Sequence, residues 1–202
     1  MSRIRAVLFD ADGVVQRTPP AFRQSLIDVC RANGADPEKF LAAVFAAERP
    51  SIVGTGTLAE ALAPVLRGFG MTHALDTVLS AWRLVEPDVG VFALIDDLRA
   101  RGFTCCLATN QQDVRRRHMS LELGYSASFD REYYSCEIRQ RKPDAAFFQH
   151  ILNDLVLAPI EVLFVDDAEA NVVAARDLGM ETLYFDGGDL RVQVEPLLAR
   201  AG

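Results

Sequence analysis

The sequence predicts an α/β protein with a doubly wound parallel sheet into which a helical block is inserted. Four short apolar segments lie at residues 6–9, 103–108, 162–165 and 182–185, and stretches of helical periodicity separate the last three. Such runs are typical of strands buried on both faces of a parallel sheet. Residues 16–87 carry helical periodicity without a comparable strand. The sheet is therefore expected to begin, to be interrupted by helices and then to resume.

Helices are predicted in each interval between the later strands. The apolar residues at 91, 94, 95 and 98 share one helical face, and Gly102 follows it. Gly124 and Gly179 follow two further helical stretches, as glycine commonly does just past a helix end. Pro143 suits the first turn of a helix that runs toward Leu155. Strand and helix therefore alternate after residue 88.

Four helices are predicted in the block that interrupts the sheet. Thr18 before Pro19 and Asp36 before Pro37 are typical of helix starts. Two later stretches carry apolar residues at helical spacing, and Pro87 ends the block. The expected division is a core domain of residues 1–15 and 88–202, with residues 16–87 forming an inserted helical cap.

Two patterns resemble binding motifs and are interpreted as structural. The segment from Gly54 to Ala59 matches the G-x-G-x-x-A fingerprint of dinucleotide-binding turns, but no apolar strand precedes it. Thr57 followed by Glu60 instead predicts a capping box that starts the third cap helix. The run Arg115-Arg116-Arg117 is interpreted as a solvated helical face.

The composition indicates a folded protein with an excess of acidic residues. The chain has 202 residues, with 21 Lys and Arg against 28 Asp and Glu, a formal charge of −7 and 50% hydrophobic residues. A nucleic-acid partner is not expected, because an acidic chain lacks the cations that replace counterions along a phosphate backbone. Lys39 and Lys142 are the only lysines, and the other basic residues are arginine.

The chain is expected to be cytoplasmic and to have no membrane partner. It contains no run of about 18 apolar residues, and its first residues lead into an apolar strand and Asp10 without the pattern of a signal peptide. The four cysteines fit neither a metal knuckle nor a dense disulfide framework. We expect all four, at positions 30, 105, 106 and 136, to be reduced thiols in or near the core.

Polar side chains follow three of the four predicted strands at the point where each strand ends. They are Asp10 and Asp12 after the first strand, Thr109 and Asn110 after the second, and Asp166 and Asp167 after the third. Ligands of open parallel sheets bind outside the carboxyl ends of the strands, so these side chains are expected to meet in one crevice. Taken singly, each cluster would also be explained as a cap of the following helix.

Convergence of four carboxylates favours a metal site over separate helix caps. Like charges a few ångströms apart repel unless a cation lies among them. Oxygen ligands without histidine or thiolate favour Mg²⁺, which binds through one or two carboxylates plus substrate phosphate. Lys142 lies at a predicted helix start, where the helix dipole favours an anion. In a chain that otherwise uses arginine, a lysine there indicates a negatively charged partner more than a surface charge.

In order and placement, these segments strongly resemble the four motifs of the haloacid dehalogenase superfamily. The resemblance covers the whole chain and implies the subfamily I architecture, with a small helical cap after the first motif. The later segments look closest to the branch that contains bacterial sugar-1-phosphate phosphatases and the N-terminal phosphatase domain of soluble epoxide hydrolases. The matching segments are Asp10-Ala11-Asp12-Gly13-Val14-Val15, Thr109-Asn110, Lys142-Pro143 and Asp166-Asp167-Ala168-Glu169-Ala170-Asn171.

The resemblance implies an Mg²⁺-dependent phosphatase that hydrolyses a small phosphorylated metabolite, such as a sugar phosphate, through an aspartyl-phosphate. Asp10 would be the nucleophile and Asp12 the general acid and base. Mg²⁺ would be held by Asp10, the backbone carbonyl of Asp12 and Asp167, with Asp166 bound directly or through water. The phosphoryl group would be held by Thr109 and Lys142, assisted by the N–H groups of Ala11 and Asp12, with Asn110 at the same rim.

Several alternatives stay open at this point. A phosphotransferase or phosphomutase would use the same residues and return the phosphoryl group to a second hydroxyl. A 2-haloacid dehalogenase is disfavoured, because its leaving halide needs no proton from Asp12. A phosphate-accepting receiver domain is disfavoured, because its acidic pair would follow the first strand. A non-catalytic phosphate-binding relative is disfavoured by the complete motif set. The expected partner is a small phosphate ester, and the chain is expected to be a monomer or a homodimer.

Overall fold

A five-stranded parallel sheet forms the centre of the protein. The computed structural model describes residues 4–200. Its strands are β1 (Ala6–Phe9), β4 (Thr104–Thr109), β5 (Arg131–Tyr134), β6 (Val162–Asp166) and β7 (Glu181–Tyr184). The strand order in the sheet is β5-β4-β1-β6-β7, and every neighbouring pair is parallel. The doubly wound α/β fold is therefore confirmed.

The central strands agree with the predicted apolar segments to within one residue, whereas β5 was not predicted. This edge strand begins with Arg131 and Glu132 and becomes buried only at Tyr133 and Tyr134. It pairs with β4 alone, so one side of its backbone and part of its side chains stay accessible. A polar edge strand of four residues lacks the continuous apolar run that identifies a central strand.

Helices cover both faces of the sheet. One apolar cluster contains Val7, Phe9, Leu107 and Leu163 from the strands. The cluster on the other face contains Leu8 and Phe164. Successive strand residues point to opposite faces, which accounts for this division. The helices after residue 88 are α5 (Val89–Ala100), α6 (Asp113–Arg117), α7 (Tyr125–Ser128), α8 (Ser135–Ile138), α9 (Ala145–Leu155), α10 (Glu169–Asp177) and α11 (Leu190–Arg200).

The block between β1 and α5 contains four helices that pack around a third apolar cluster, which includes Leu26, Phe40, Leu62 and Trp82. A short antiparallel pair, β2 (Gln16–Arg17) with β3 (Glu86–Pro87), joins the two ends of this block. The four helices are α1 (Pro20–Ala32), α2 (Pro37–Ile52), α3 (Leu58–Gly68) and α4 (Leu75–Ala81).

The helix starts agree with the capping predictions in two cases and differ in two. The Asp36 side chain accepts hydrogen bonds at the start of α2, and Thr57 with Glu60 forms the predicted capping box of α3. Helix α1 begins at Pro20 rather than at Pro19. Pro143 lies before α9, whose N-cap is Asp144, so its predicted place in the first helical turn is wrong.

The cysteines agree with the expectation of reduced thiols. All four are free, with Cys30, Cys105 and Cys106 buried and Cys136 partly buried. Burial raises the pKa of the Cys136 thiol to about 11, so it is protonated at neutral pH. Among residues 4–200, no helix has the length and hydropathy needed to cross a membrane.

Candidate active site

The predicted site residues meet at the carboxyl ends of three neighbouring strands. Asp10 directly follows β1, while Thr109 ends β4 and Asp166 ends β6. Lys142 reaches the same place from the loop before α9. Asp10 is 8% exposed, Thr109 1%, Lys142 3% and Asp166 0%. Charged groups are rarely this buried unless they are paired, so the cluster is a candidate active site rather than a set of surface caps.

Lys142 bridges two of the buried carboxylates. Its Nζ lies 2.7 Å from Asp10 Oδ1 and 2.6 Å from Asp166 Oδ2. The loop that carries Lys142 is held by Asn110, whose Nδ2 donates to the Lys142 carbonyl at 2.9 Å and whose Oδ1 accepts from the Lys142 N–H at 2.9 Å. Lys142 is therefore held both through its ammonium group and through its backbone.

Asp166 is surrounded by hydrogen-bond donors. Oδ1 accepts from the Ala168 N–H at 2.8 Å, and Asn171 Nδ2 donates to both oxygens at 3.0 and 3.1 Å. With Lys142 on Oδ2, each carboxylate oxygen has two donors. Asn171 thus contacts the acidic cluster through Asp166, and Asp166 positions the Lys142 ammonium.

Asp10, Asp166 and Asp167 have the donor set that Mg²⁺ prefers. One carboxylate oxygen from each lies within 4.8 Å of the others. Burial raises the pKa of the Asp10 carboxyl to about 6, against the opposing charge of Lys142. Burial, and then the charge of Asp166, also raises the pKa of Asp167. Because three carboxylates are clustered and only two of them contact the Lys142 ammonium, a divalent cation would relieve their repulsion, and the residues fit Mg²⁺.

A tight turn after β1 brings the chain close to Asp167. The Ala11 carbonyl accepts from the N–H groups of Val15 and Gln16 at 2.9 and 3.0 Å. Gly13 has a φ of 85°, and a Cβ added there would overlap the Asp167 carboxylate. Glycine is therefore required both for the backbone conformation and for the close approach of the carboxylate.

Replacing Gly13 with alanine is expected to lower the free energy of unfolding by about 1–3 kcal/mol and to weaken Mg²⁺ binding, because the Asp167 carboxylate must move. Gly34→Ala is the matched control, since Gly34 also has a positive φ, 69°, but has no atom within 4 Å of an added Cβ. Denaturant unfolding with and without Mg²⁺ measures both effects. An unchanged stabilisation by Mg²⁺ in Gly13→Ala would contradict a metal-binding role for Asp167.

Asp12 lies beside the buried cluster and is held by four side chains. Oδ1 accepts from Gln16 Nε2 at 3.0 Å and from Thr18 Oγ1 at 3.3 Å. Oδ2 accepts from Gln111 Nε2 at 2.7 Å and from Arg115 Nη1 at 3.1 Å. Although Asp10 and Asp12 are two residues apart in sequence, they have different partners, since Asp10 pairs with Lys142.

The prediction of a solvated arginine face is wrong for Arg115. This residue is 6% exposed and lies against Asp12, whereas Arg116 is partly buried and pairs with Glu137, and Arg117 is exposed. Helical geometry points three consecutive side chains in different directions, so one member of a charged run can face inward. A run of three arginines does not indicate which of its members faces inward, so the contact between Arg115 and Asp12 was not predicted.

The substrate contacts predicted for Thr109, Asn110 and Ala11 stay predictions. Thr109 is buried at the end of β4, the strand that neighbours β1 in the sheet. Asn110 is engaged with the backbone of Lys142 instead of being free at the rim. Ala11 is fully buried within the turn.

Comparisons with known proteins agree with these observations. A family model described as haloacid dehalogenase-like hydrolase matches residues 4–179. Bifunctional epoxide hydrolase 2 of Rattus norvegicus is 34% identical over 90 residues, which are 43% of this chain and only 16% of the length of the rat protein. Phosphoglycolate phosphatase of Rhodospirillum rubrum is 27% identical over 212 residues, covering 98% of this chain and 86% of that protein.

A solved structure shows the same fold along nearly the whole chain. It is a haloacid dehalogenase family enzyme from Bacteroides thetaiotaomicron in complex with magnesium and inorganic phosphate. It aligns with a TM-score of 0.80 and 22% identity over 94% of this chain and 98% of that chain. With the family model matching most of the sequence and the fold agreeing, the chain belongs to the haloacid dehalogenase-like hydrolases.

Proposed function

We propose that this protein is an Mg²⁺-dependent phosphatase that hydrolyses small phosphate monoesters through a phosphorylated Asp10. The observation that carries the proposal is the placement of Asp10 beside a buried lysine, with a second carboxylate, Asp12, two residues away. The Rhodospirillum rubrum relative is a phosphoglycolate phosphatase, which supports a phosphate ester as substrate.

Asp10 is proposed as the nucleophile that attacks phosphorus. Burial makes this carboxylate poorly solvated, and a poorly solvated carboxylate is less shielded from the phosphorus atom it attacks. The 2.7 Å contact with Lys142 favours the ionised form of Asp10 and opposes the effect of burial on its pKa. The carboxylate would form a bond to phosphorus as the bond to the leaving oxygen breaks, giving an acyl phosphate that water then hydrolyses.

Mg²⁺ would be held by Asp10, Asp167 and the backbone carbonyl of Asp12. When bound, it would offset the carboxylate charges and polarise a phosphoryl oxygen. Asp166 is proposed to act mainly on Lys142, because both of its oxygens already have two donors. This differs from the direct role that the sequence also allowed for Asp166.

Lys142 and Thr109 are proposed to bind the phosphoryl oxygens. The Lys142 ammonium has a third donor beyond its two carboxylate partners, and it is fixed before substrate arrives. Fixed donors stabilise charge that develops in the transition state without reorganising. The backbone N–H groups of Ala11 and Asp12 are proposed to assist at the same oxygens.

Asp12 is proposed to protonate the leaving oxygen and then to accept a proton from the attacking water. Replacing Asp12 with alanine is expected to reduce turnover by roughly 10²–10⁴-fold while leaving Mg²⁺ binding nearly unchanged, because the backbone carbonyl is kept. Phosphate release and the thermal shift on adding Mg²⁺ measure the two effects separately. Full activity in Asp12→Ala would contradict the assignment.

We further propose that residues 16–87 act as a cap that covers the site and sets substrate choice, with a sugar phosphate as a representative substrate. A phosphotransferase of the same family is the second candidate, since the buried site limits access of water to Asp10. Screening phosphorylated metabolites with Mg²⁺ for free phosphate tests the proposal. Hydrolysis of one or more is expected, and transfer to an added alcohol without free phosphate would favour the second candidate.

A further inference from the structure

Arg115 is a buried cation where α6 contacts the helices of residues 16–87. Its Nε donates to the Trp82 carbonyl at 3.0 Å, and Nη1 donates to Thr18 Oγ1 at 3.3 Å. The guanidinium lies 5.5 Å from the ring centre of Phe22. All three contacted residues belong to the segment between β1 and α5. Arg115 itself belongs to the core, so its position depends on how that segment packs.

The other contact of Arg115 is with the proposed general acid. Nη1 lies 3.1 Å from Asp12 Oδ2 and 3.4 Å from Oδ1. The Asp12 side chain is 38% exposed, whereas that of Arg115 is 7% exposed, so the arginine is the more rigidly packed partner. A carboxylate at the surface has rotational freedom that a buried guanidinium removes. Arg115 thereby limits the directions in which the Asp12 oxygens point.

The Arg115 guanidinium is only partly paired. Its Nη2 is buried and has no hydrogen-bond partner among residues 4–200. Buried unpaired donors lower stability, and a position selected for stability alone would avoid them. Glu48 is close enough for Arg115 to oppose the rise in its pKa that burial causes. The guanidinium is thus held by contacts with Trp82, Thr18 and Phe22 while it donates to Asp12.

We propose that Arg115 is a positioning residue for Asp12. It holds the Asp12 carboxylate in the orientation needed for proton transfer to the leaving oxygen, and it links that orientation to the packing of residues 16–87 through Trp82 and Thr18. The inference rests on the proposed acid role of Asp12. It adds a residue that the four motifs do not contain, and it makes proton transfer dependent on how residues 16–87 pack against Arg115.

The test compares two substrates that differ in their need for a proton. p-Nitrophenyl phosphate releases a weakly basic oxygen, whereas benzyl phosphate releases a strongly basic alkoxide. With Mg²⁺ present, Arg115→Gln is expected to lower kcat/KM, which reports the phosphoryl transfer that releases the leaving group, by about 100-fold for benzyl phosphate and by less than about 10-fold for p-nitrophenyl phosphate. Arg115→Lys is expected to behave like Arg115→Gln, because one ammonium cannot reproduce the planar set of contacts.

Arg117→Gln is the matched control, because it makes the same change at an exposed neighbour. It should leave kcat/KM unchanged for both substrates. Thr18→Val removes one hydrogen bond to Asp12 and one from Arg115 with less disturbance of the core. It should also lower kcat/KM more for benzyl phosphate than for p-nitrophenyl phosphate, but by a smaller factor than Arg115→Gln. Thermal unfolding identifies any variant that fails to fold, in which case Thr18→Val decides.

An equal loss of kcat/KM on both substrates in Arg115→Gln, or no loss on either, would overturn the positioning role. A wild-type enzyme that releases phosphate from p-nitrophenyl phosphate but not from benzyl phosphate would contradict acid assistance by Asp12 and the inference with it. Failure of the wild type to hydrolyse any phosphate ester would instead contradict the proposed function.

Discussion

Replacing Asp10 with asparagine is expected to reduce phosphate release by roughly 10⁴-fold or more while making the metal-free protein more stable. The amide cannot form the acyl phosphate. The substitution also removes one of three clustered carboxylates, of which Asp10 and Asp166 contact the ammonium of Lys142. Phosphate assays with Mg²⁺ and thermal unfolding in EDTA measure the two effects. Activity within tenfold of the wild type would exclude Asp10 as the nucleophile.

The stability effect should depend on pH in a defined direction. The ordinary pKa of an aspartate, 3.8, is raised in the folded protein to about 6, chiefly by burial. A raised pKa means that the folded state holds the proton more tightly than the unfolded chain does. The stabilisation from Asp10 is therefore complete below pH 3.8 and is lost as the pH rises through about 6. In EDTA, the advantage of Asp10→Asn over the wild type should grow across this interval.

A flat difference between wild type and Asp10→Asn from pH 4 to pH 8 would contradict the raised pKa of Asp10. Asp177→Asn is a suitable control, because it changes the same charge at an exposed position at the far end of α10 from Asp167. Adding Mg²⁺ should reduce the advantage of Asp10→Asn, because the wild type then gains stability from the bound ion whereas the variant has lost one of its ligands.

Replacing Lys142 with arginine is expected to reduce kcat by roughly 10²–10³-fold although the charge is kept. The ammonium lies within 2.7 Å of two carboxylates in a space where only 3% of the residue is exposed. A guanidinium is larger and planar, so it would displace Asp10 or Asp166 from its present position. Steady-state phosphate release measures the effect.

Lys39→Arg is the matched control for Lys142→Arg, since Lys39 is the other lysine of the chain and is exposed. It should have no measurable effect on kcat. Near wild-type activity in Lys142→Arg, with folding confirmed by thermal unfolding, would contradict the proposed contact between this ammonium and the phosphoryl group.

The central strands and their polar ends were predictable because burial on both faces imposes continuous apolar sequence. Asp10, Thr109 and Asp166 each follow or end such a run, and parallel strands place their carboxyl ends at one edge. Lys142 was predictable for a different reason, its rarity in a chain rich in arginine. The capping box at Thr57 was predictable because its two residues lie within one helical turn.

The unpredicted features depend on contacts between distant parts of the chain. Asn110 holds the backbone of Lys142, 32 residues away, and Arg115 reaches Asp12 across 103 residues. Local periodicity carries no information about such pairs. The edge strand β5 was missed because its outer residues face water and therefore lack an apolar run. The short pair β2–β3 has only two residues in each strand, too few to show alternation.

Trapping the covalent intermediate tests the central claim most directly. Borohydride added during turnover reduces an aspartyl-phosphate to homoserine, and mass spectrometry of the peptide that contains residue 10 detects the change. With substrate and Mg²⁺ we expect reduction at Asp10, and with substrate and EDTA we expect none. Steady phosphate release with Asp10 unreduced, or reduction at another carboxylate, would contradict the account.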